Sequence, residues 1–315
     1  MALADSGPPV DHLAFVGFGA LADAFAGGLR RSGVTELRAY SRPREDRASA
    51  AALRRKLRAA GVRSCATIEE AIAGAGTIVS AVPASAAAGV AAACAPLLSA
   101  GTLYVDPAPL APAAKAELAA LIEEAGSQYV DIAVLGTVAV SGAAVPLMAA
   151  GSGARRWSAI VAPLGFDVTV IDGPAGRASL VKLLRSVYMK GRDALILEML
   201  LAARRHGVED AVVSSIRGPG EQVPFQDLAE RVITSLALYA ERRAVELSAA
   251  AELVAEAGVD PLATNGGAAR LHWLAELELR ARFAGERPGD MKEVLSVVEA
   301  LDAERDPRAE PRKGA

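Results

Sequence analysis

Leu13-Ala14-Phe15-Val16-Gly17-Phe18-Gly19-Ala20-Leu21-Ala22 decides how the first half of the chain is read. Four apolar residues make a short strand-like run, two glycines interrupt it, and an alanine-rich helical stretch follows. The spacing is G-x-G-x-x-A, with Gly17 allowing a tight turn. Gly19 has no side chain to hold off a pyrophosphate, and Ala22 is small enough for helix and strand to pack closely. The N-terminus of such a helix offers N–H groups and a positive dipole end to phosphates. Phe18, Ala20 and Leu21 therefore join Gly17, Gly19 and Ala22 as candidate cofactor-binding residues. An ordinary tight turn is the alternative, and the strand–turn–helix context weighs against it.

A second strand over Leu37–Tyr40 ends in Tyr40-Ser41-Arg42-Pro43-Arg44. A carboxylate at this tip would bond the ribose 2′-OH of NAD. The chain has a hydroxyl and guanidinium groups instead, which suit a 2′-phosphate through charge-assisted bonds. Ser41 and Arg42 thus favour NADP over NAD; the alternative is that Arg42, Arg44 and Arg47 are solvated loop charges. Further apolar runs follow at Thr77–Val82, Leu103–Asp106 and Tyr129–Val134, with prolines after the first two. Val82, Pro83, Asp106 and the segment Val134–Thr137 should lie on the carboxyl edge of the sheet and line the nicotinamide end. The plainer reading is that each proline merely stops a strand.

Strands alternating with helices of this length predict an α/β fold, a doubly wound parallel sheet. Pro146–Ala150 and Asp167–Ile171 read as its last strands, so the dinucleotide-binding domain is expected over residues 10–174. After Gly173-Pro174 the pattern turns helical, with segments at Ala178–His206, Phe225–Val254, Pro261–Phe283 and Met291–Leu301, and Gly218-Pro219-Gly220 as a separator. This predicts an all-α substrate and dimerisation domain over 175–302 and a frayed tail over 303–315.

Composition bounds the function. The chain has 315 residues, 52% apolar and 23% charged, with a net charge of −3. That is enough apolar material for two packed domains and excludes a disordered chain. No basic excess speaks for nucleic acid. Cys65 and Cys94 read as small buried thiols in a reducing cytosol, and three scattered histidines give no metal-ligand spacing. The first residues lack a basic segment followed by an apolar core, and no apolar run reaches membrane-spanning length. A cytoplasmic enzyme without a catalytic metal, acting on a small molecule, is expected.

Only six lysines occur, and two of them, Lys182 and Lys190, fall in the long helix. Around that helix Ser186, Lys190 and Asp193 lie about 40°, 80° and 20° from Lys182, forming one polar band. A solvated face would explain the band. A lysine near the start of a helix that begins at the domain junction is also well placed as a general acid. Its pKa can be drawn toward neutral by burial and by Arg185 or Lys190.

The chain resembles the β-hydroxyacid dehydrogenase superfamily, which includes 6-phosphogluconate and 3-hydroxyisobutyrate dehydrogenases. The likeness runs through Gly17–Ala22, Tyr40-Ser41-Arg42, the segment Asp131–Thr137 and the helix start Gly176–Ser186. It resembles the family's substrate motif D-x-P-V-S-G-G in the third stretch and its catalytic G-x-x-x-x-x-K-x-x-x-N helix in the fourth. The segments Glu241–Ala244 and Ala257–Leu262 are similar to the branch with a phosphogluconate-dehydrogenase-type C-terminal domain of undefined role. The resemblance implies an NADP-dependent dehydrogenase or reductase of an alcohol/carbonyl pair, with Lys182 as catalytic acid or base. Leu135, Gly136, Ser186 and Lys190 would meet the substrate. It departs from the family where Leu135 replaces a serine and Ser186 an asparagine, so a simple 3-hydroxy acid is in doubt. Related imine reductases usually replace the lysine, and its retention favours C–O chemistry. An imine reductase, favoured by Leu135, and a non-catalytic NADP-binding protein are the alternatives. The resemblance also implies a homodimer through the helical domains, as does the apolar surface of one long helix.

Overall fold

The computed structural model describes residues 12–43, 46–216 and 223–305. Arg44 and the Gly218-Pro219-Gly220 separator lie outside the described residues. The chain divides into two compact units, Met1–Ser186 and Val187–Ala315.

The first unit is built on eight strands: β1 (Leu13–Val16), β2 (Leu37–Tyr40), β3 (Arg63–Cys65), β4 (Thr77–Ser80), β5 (Leu103–Asp106), β6 (Gln128–Val134), β7 (Leu147–Ala150) and β8 (Val168–Val170). Their order across the sheet is β3-β2-β1-β4-β5-β6-β7-β8. All neighbouring pairs are parallel except β6 and β7. The antiparallel step is a departure from a uniformly parallel sheet. Twelve residues, Leu135–Pro146, join β6 to β7, and their helical pieces are only Val138–Ser141 and Gly142–Ala144. A parallel crossover is usually made by a full helix, so the chain turns back instead.

The sheet carries helices α1 (Ala20–Arg31), α2 (Arg47–Ala59), α3 (Ile68–Ile72), α4 (Ala84–Cys94), α5 (Pro112–Glu124), α6 (Val138–Ser141) and α7 (Ala154–Val161). Alternate strand residues face opposite sides. Phe15, Val79, Val105, Val130 and Ile132 pack with Phe25 and Leu29 of α1 and with Trp157 of α7. Ala14, Val16, Ile78, Tyr104 and Tyr129 pack on the other side with residues of α3, α4 and α5. Phe15, Phe25 and Trp157 are fully buried, and each such side chain stabilises the unit by roughly 1.5–3 kcal/mol.

A long helix, α8 (Arg177–Arg205), starts in the first unit and carries the chain into the second. The second unit continues with α9 (Glu209–Ser215), α10 (Phe225–Glu256), α11 (Leu262–Ala275), α12 (Leu279–Arg282) and α13 (Met291–Arg305). Its core gathers Ala237, Leu277, Leu279, Val294 and Leu301. One helix expected over Pro261–Phe283 is two, because Glu278 takes a left-handed backbone (φ 51°) and interrupts the ladder. The last helix runs through Arg305, into what the sequence suggests is tail. Glu198 of α8 caps α11 from outside, accepting bonds from Ala263 N, Thr264 N and the Thr264 hydroxyl at 2.8, 2.9 and 2.5 Å. Burial pushes its carboxyl up, but these bonds hold it below the usual value. Among the described residues no helix is long and apolar enough to cross a membrane.

Candidate active site

The chain leaves β1 toward β2 on one side and returns to β4 on the other, so a crevice opens beyond the carboxyl ends of β1 and β4. Gly17 lies there with φ +86°, and its N–H donates to Tyr40 O at 2.8 Å. A Cβ on Gly17 would come within 2.5 Å of Ala81 O and 2.7 Å of Val82 Cγ1. Both its backbone conformation and its neighbours demand glycine. Gly19 is different: a Cβ there meets nothing within 4 Å. Helix α1 starts from Gly19 with no side-chain cap. Among the described residues, the N–H groups of Ala20, Leu21 and Ala22 donate to no backbone carbonyl and to no capping side chain. Open space in front of an uncapped helix start fits a dinucleotide pyrophosphate.

Ala22 is fully buried beneath this turn. Phe18 is buried too, its ring edge-on to Phe15 with centroids 5.8 Å apart, so only its backbone faces outward chemistry. At the tip of β2, Ser41 is half-buried and Arg42 exposed. Val82 is half-buried and Pro83 exposed at the start of α4. Lys56, from α2, is a residue the sequence reading missed. Its ammonium donates to Gly19 O at 3.2 Å, pairs with Asp23 at 3.5 Å and lies 5.9 Å from the Phe18 ring centroid.

Asp106 is fully buried, and its carboxylate is engaged inside the unit. Oδ1 accepts from Ala108 N at 2.8 Å and Oδ2 from the Tyr129 hydroxyl at 2.5 Å. The ammonium of Lys115, also fully buried, lies 3.0 Å from Asp106 Oδ2 and 3.5 Å from Asp131 Oδ1, and donates to Asp106 O at 2.6 Å. Asp106 and Asp131 stand opposite each other in the β5–β6 register. Burial, then the Asp106 charge, pushes the Tyr129 hydroxyl well above its ordinary value, so it stays a donor.

Asp131 ties this cluster to α8. Its Oδ2 accepts from Gly176 N and Ser179 N, each at 3.0 Å, and its Oδ1 from the Ser179 hydroxyl at 2.7 Å. A carboxylate at a helix N-terminus satisfies orphan N–H groups and complements the dipole. Gly176 sits at φ +96°, where a Cβ would meet Pro112 O at 2.6 Å, so the entry into α8 is fixed by contact as well as by charge.

Ala178, in the first turn of α8, packs on Ala133 and Ala150, with Leu135 against the same cluster. Lys182 follows Ala178 by four residues and therefore stands one turn along the same side of the helix. It is half-buried. The Ser186 hydroxyl donates to Lys182 O at 2.9 Å. The N–H of Leu135 donates to Pro146 O at 2.9 Å, and Gly136 is exposed just beyond β6. The structure thus brings Leu135 to the start of the helix that carries Lys182 and Ser186. Lys190 is exposed and falls in the second unit. Among the described residues, no three His, Cys, Asp or Glu side chains cluster as metal ligands would.

Comparison with known proteins agrees with this geometry. Residues 12–165 match the NAD binding domain of 6-phosphogluconate dehydrogenase. Residues 203–274 match a domain of unknown function, DUF1932. No curated protein matches the sequence significantly. Among solved structures, one similar chain is a conserved protein of unknown function with structural similarity to 3-hydroxyacid dehydrogenases. It is 26% identical over 85% of this chain and 99% of that one, with a TM-score of 0.57. A reductive aminase from Aspergillus terreus in complex with NADPH and ethyl levulinate is 21% identical over 93% and 99%, TM-score 0.66. An imine reductase from Streptomyces aurantiacus is 18% identical over 92% and 99%, TM-score 0.67, a likeness of fold. The glycine turn, the strand order and these matches converge: the first unit has the fold of an NAD(P)-binding domain and is similar to that of 6-phosphogluconate dehydrogenase, and residues 203–274 match the DUF1932 model.

Proposed function

We propose that this protein is an NADP-dependent oxidoreductase acting on a small alcohol/carbonyl pair, with Lys182 as its general acid or base. The observation that carries the reading is the anchored start of α8. Asp131 fixes that start, Ala178 packs it against the sheet beside Leu135, and Lys182 stands one turn further on. Ser41 and Arg42 at the tip of β2 would hold the 2′-phosphate, and the uncapped start of α1 the pyrophosphate. Bound NADP(H) would supply or accept the hydride. The Lys182 ammonium would protonate the carbonyl oxygen in reduction, and the free amine would take the hydroxyl proton in oxidation. Ser186, bonded to the backbone of Lys182, steadies that turn of helix. The exposed N–H of Gly136 would meet a carbonyl or anionic end of the substrate, while Leu135 gives the pocket an apolar wall.

The test is turnover of keto acids and aldehydes by the purified protein with NADPH. Lys182→Ala should retain NADPH binding and lose about 10²–10⁴ of kcat; unchanged kcat refutes the role. Leu135 favours a second reading, reduction of imines, in which cyclic imines are turned over and carbonyls are not. We also propose a cytoplasmic homodimer. Leu184, Val187 and Leu197 of α8 are each more than 60% exposed, apolar surface that a second copy would cover. A one-subunit mass at micromolar concentration refutes the dimer.

A further inference from the structure

The helical unit holds a pocket lined by its own residues. It has a volume of about 530 Å³, and three arginines, Arg231, Arg243 and Arg287, line it with Ser235 and Tyr239. Arg231, Ser235, Tyr239 and Arg243 recur every fourth residue along α10, which places them on one slowly drifting side of the helix. Arg287 reaches the pocket from the segment between α12 and α13.

Hydroxyls hold these guanidinium groups in place. Arg243 Nη2 donates to Ser235 Oγ at 2.6 Å. Arg287 donates from Nε and Nη2 to Thr234 Oγ1 at 3.0 and 2.8 Å, and that hydroxyl donates on to Glu230 O at 2.8 Å. Among the described residues, no carboxylate oxygen lies within 4.0 Å of any of the three arginines. Nearby arginines do find one: Arg242 pairs with Glu246 at 3.7 Å and Arg305 with Glu276 at 3.3 Å. Glu230, one turn before Thr234, keeps a buried Oε1 without a hydrogen-bond partner and pairs with none of them. Three positive charges around one pocket repel each other unless an anion enters. Each guanidinium has five donors, and most remain unspent toward the protein.

The backbone gives a second, separate sign. Within α10, Tyr239 leaves helical geometry (φ −129°, ψ 16°), although no proline or glycine lies between Thr234 and Arg243. Such interruptions cost free energy and concentrate at ligand sites. This one forms part of the pocket wall.

We propose that this pocket binds a small phosphate-bearing anion. A phosphate group offers three terminal oxygens to three guanidinium forks arriving from two chain segments, whereas one carboxylate offers two. The volume fits a small-molecule ligand.

Titration calorimetry of inorganic phosphate into the full-length protein tests this, with Arg231→Gln, Arg243→Gln and Arg243→Lys as variants and Arg42→Gln as a marker for the dinucleotide site. Saturable binding of one phosphate per chain is expected. Arg231→Gln and Arg243→Gln should each weaken it by about tenfold or more, the loss of one charge-assisted bond. Arg243→Lys, which keeps the charge but not the fork, should recover part of that loss. Among the described residues the Arg231 guanidinium makes no hydrogen bond to the protein, so its variant isolates binding from folding. Absence of saturable binding, indifference to both Gln variants, or a loss confined to Arg42→Gln overturns the proposal. Citrate binding more tightly than phosphate through the same arginines would overturn the phosphate assignment and point to a polycarboxylate.

Discussion

Replacing Lys115 by methionine removes a fully buried ammonium that stands 3.0 Å from Asp106 and 3.5 Å from Asp131. Methionine has nearly the same length, so the cavity term is small and the electrostatic one dominates. Two carboxylates would then face each other across the β5–β6 ladder with no cation between them. Breaking one partner out of a buried ion pair costs about 3–5 kcal/mol. The lower end applies here, because Asp131 keeps three donors and Asp106 keeps Ala108 N and the Tyr129 hydroxyl. For a unit of this size, about 3 kcal/mol lowers Tm by roughly 6–12 °C. Thermal melts and urea midpoints of the full chain at pH 7 measure it. The double variant Lys115→Met/Asp106→Asn removes the stranded charge and should regain at least about 1 kcal/mol over Lys115→Met alone. A single variant melting within about 2 °C of the parent, or a strictly additive double variant, would show that the cluster is not an ion pair in a low-dielectric interior.

The two glycines of the turn should separate under substitution. Gly17→Ala forces a Cβ to 2.5 Å from Ala81 O at φ +86° and should both destabilise the fold and abolish NADPH binding. Gly19→Ala meets no protein atom, so its Tm should hold while NADPH affinity drops, as read by fluorescence titration. Arg42→Ala should weaken NADPH relative to NADH by about tenfold or more, the loss of a charge-assisted phosphate bond. Equal effects on both nucleotides would discard that assignment. Burial, and secondarily the Glu69 charge, pushes the Cys94 thiol up to about 12. It should resist thiol reagents at pH 8 until the chain unfolds. The folded state keeps a proton that the unfolded chain releases near pH 8.5, so this contribution to stability is lost as pH climbs beyond that value.

The parts of the fold legible in the sequence were those with a local cause. Short apolar runs located β1, β2 and β5 to the residue, and the glycine turn located the crevice beyond the end of β1. Strand β3 escaped because it has three residues, two of them exposed, and carries no apolar run. The break before α12 escaped because it depends on a left-handed Glu278, with no glycine or proline to announce it. Lys115 left one trace. It falls in phase with Leu118, Ala119 and Ile122 on the buried side of α5, a place where lysine is rare. Asp106 and Asp131 similarly sit inside apolar strand runs.

Sequence alone therefore determined the strand–turn–helix start, the alternation of strands and helices that makes the first unit α/β, and the residue types at the tip of β2, because each follows from chain-local sterics and periodicity. Tertiary structure alone decided that Lys115, Asp106, Asp131, Tyr129 and Ser179 form one buried network, and that this network holds the start of the helix bearing Lys182. Those residues are up to 73 positions apart. No local pattern encodes the pairing of buried charges across such distances; it arises only when the sheet register and the packing of two helices bring them within a hydrogen bond of each other.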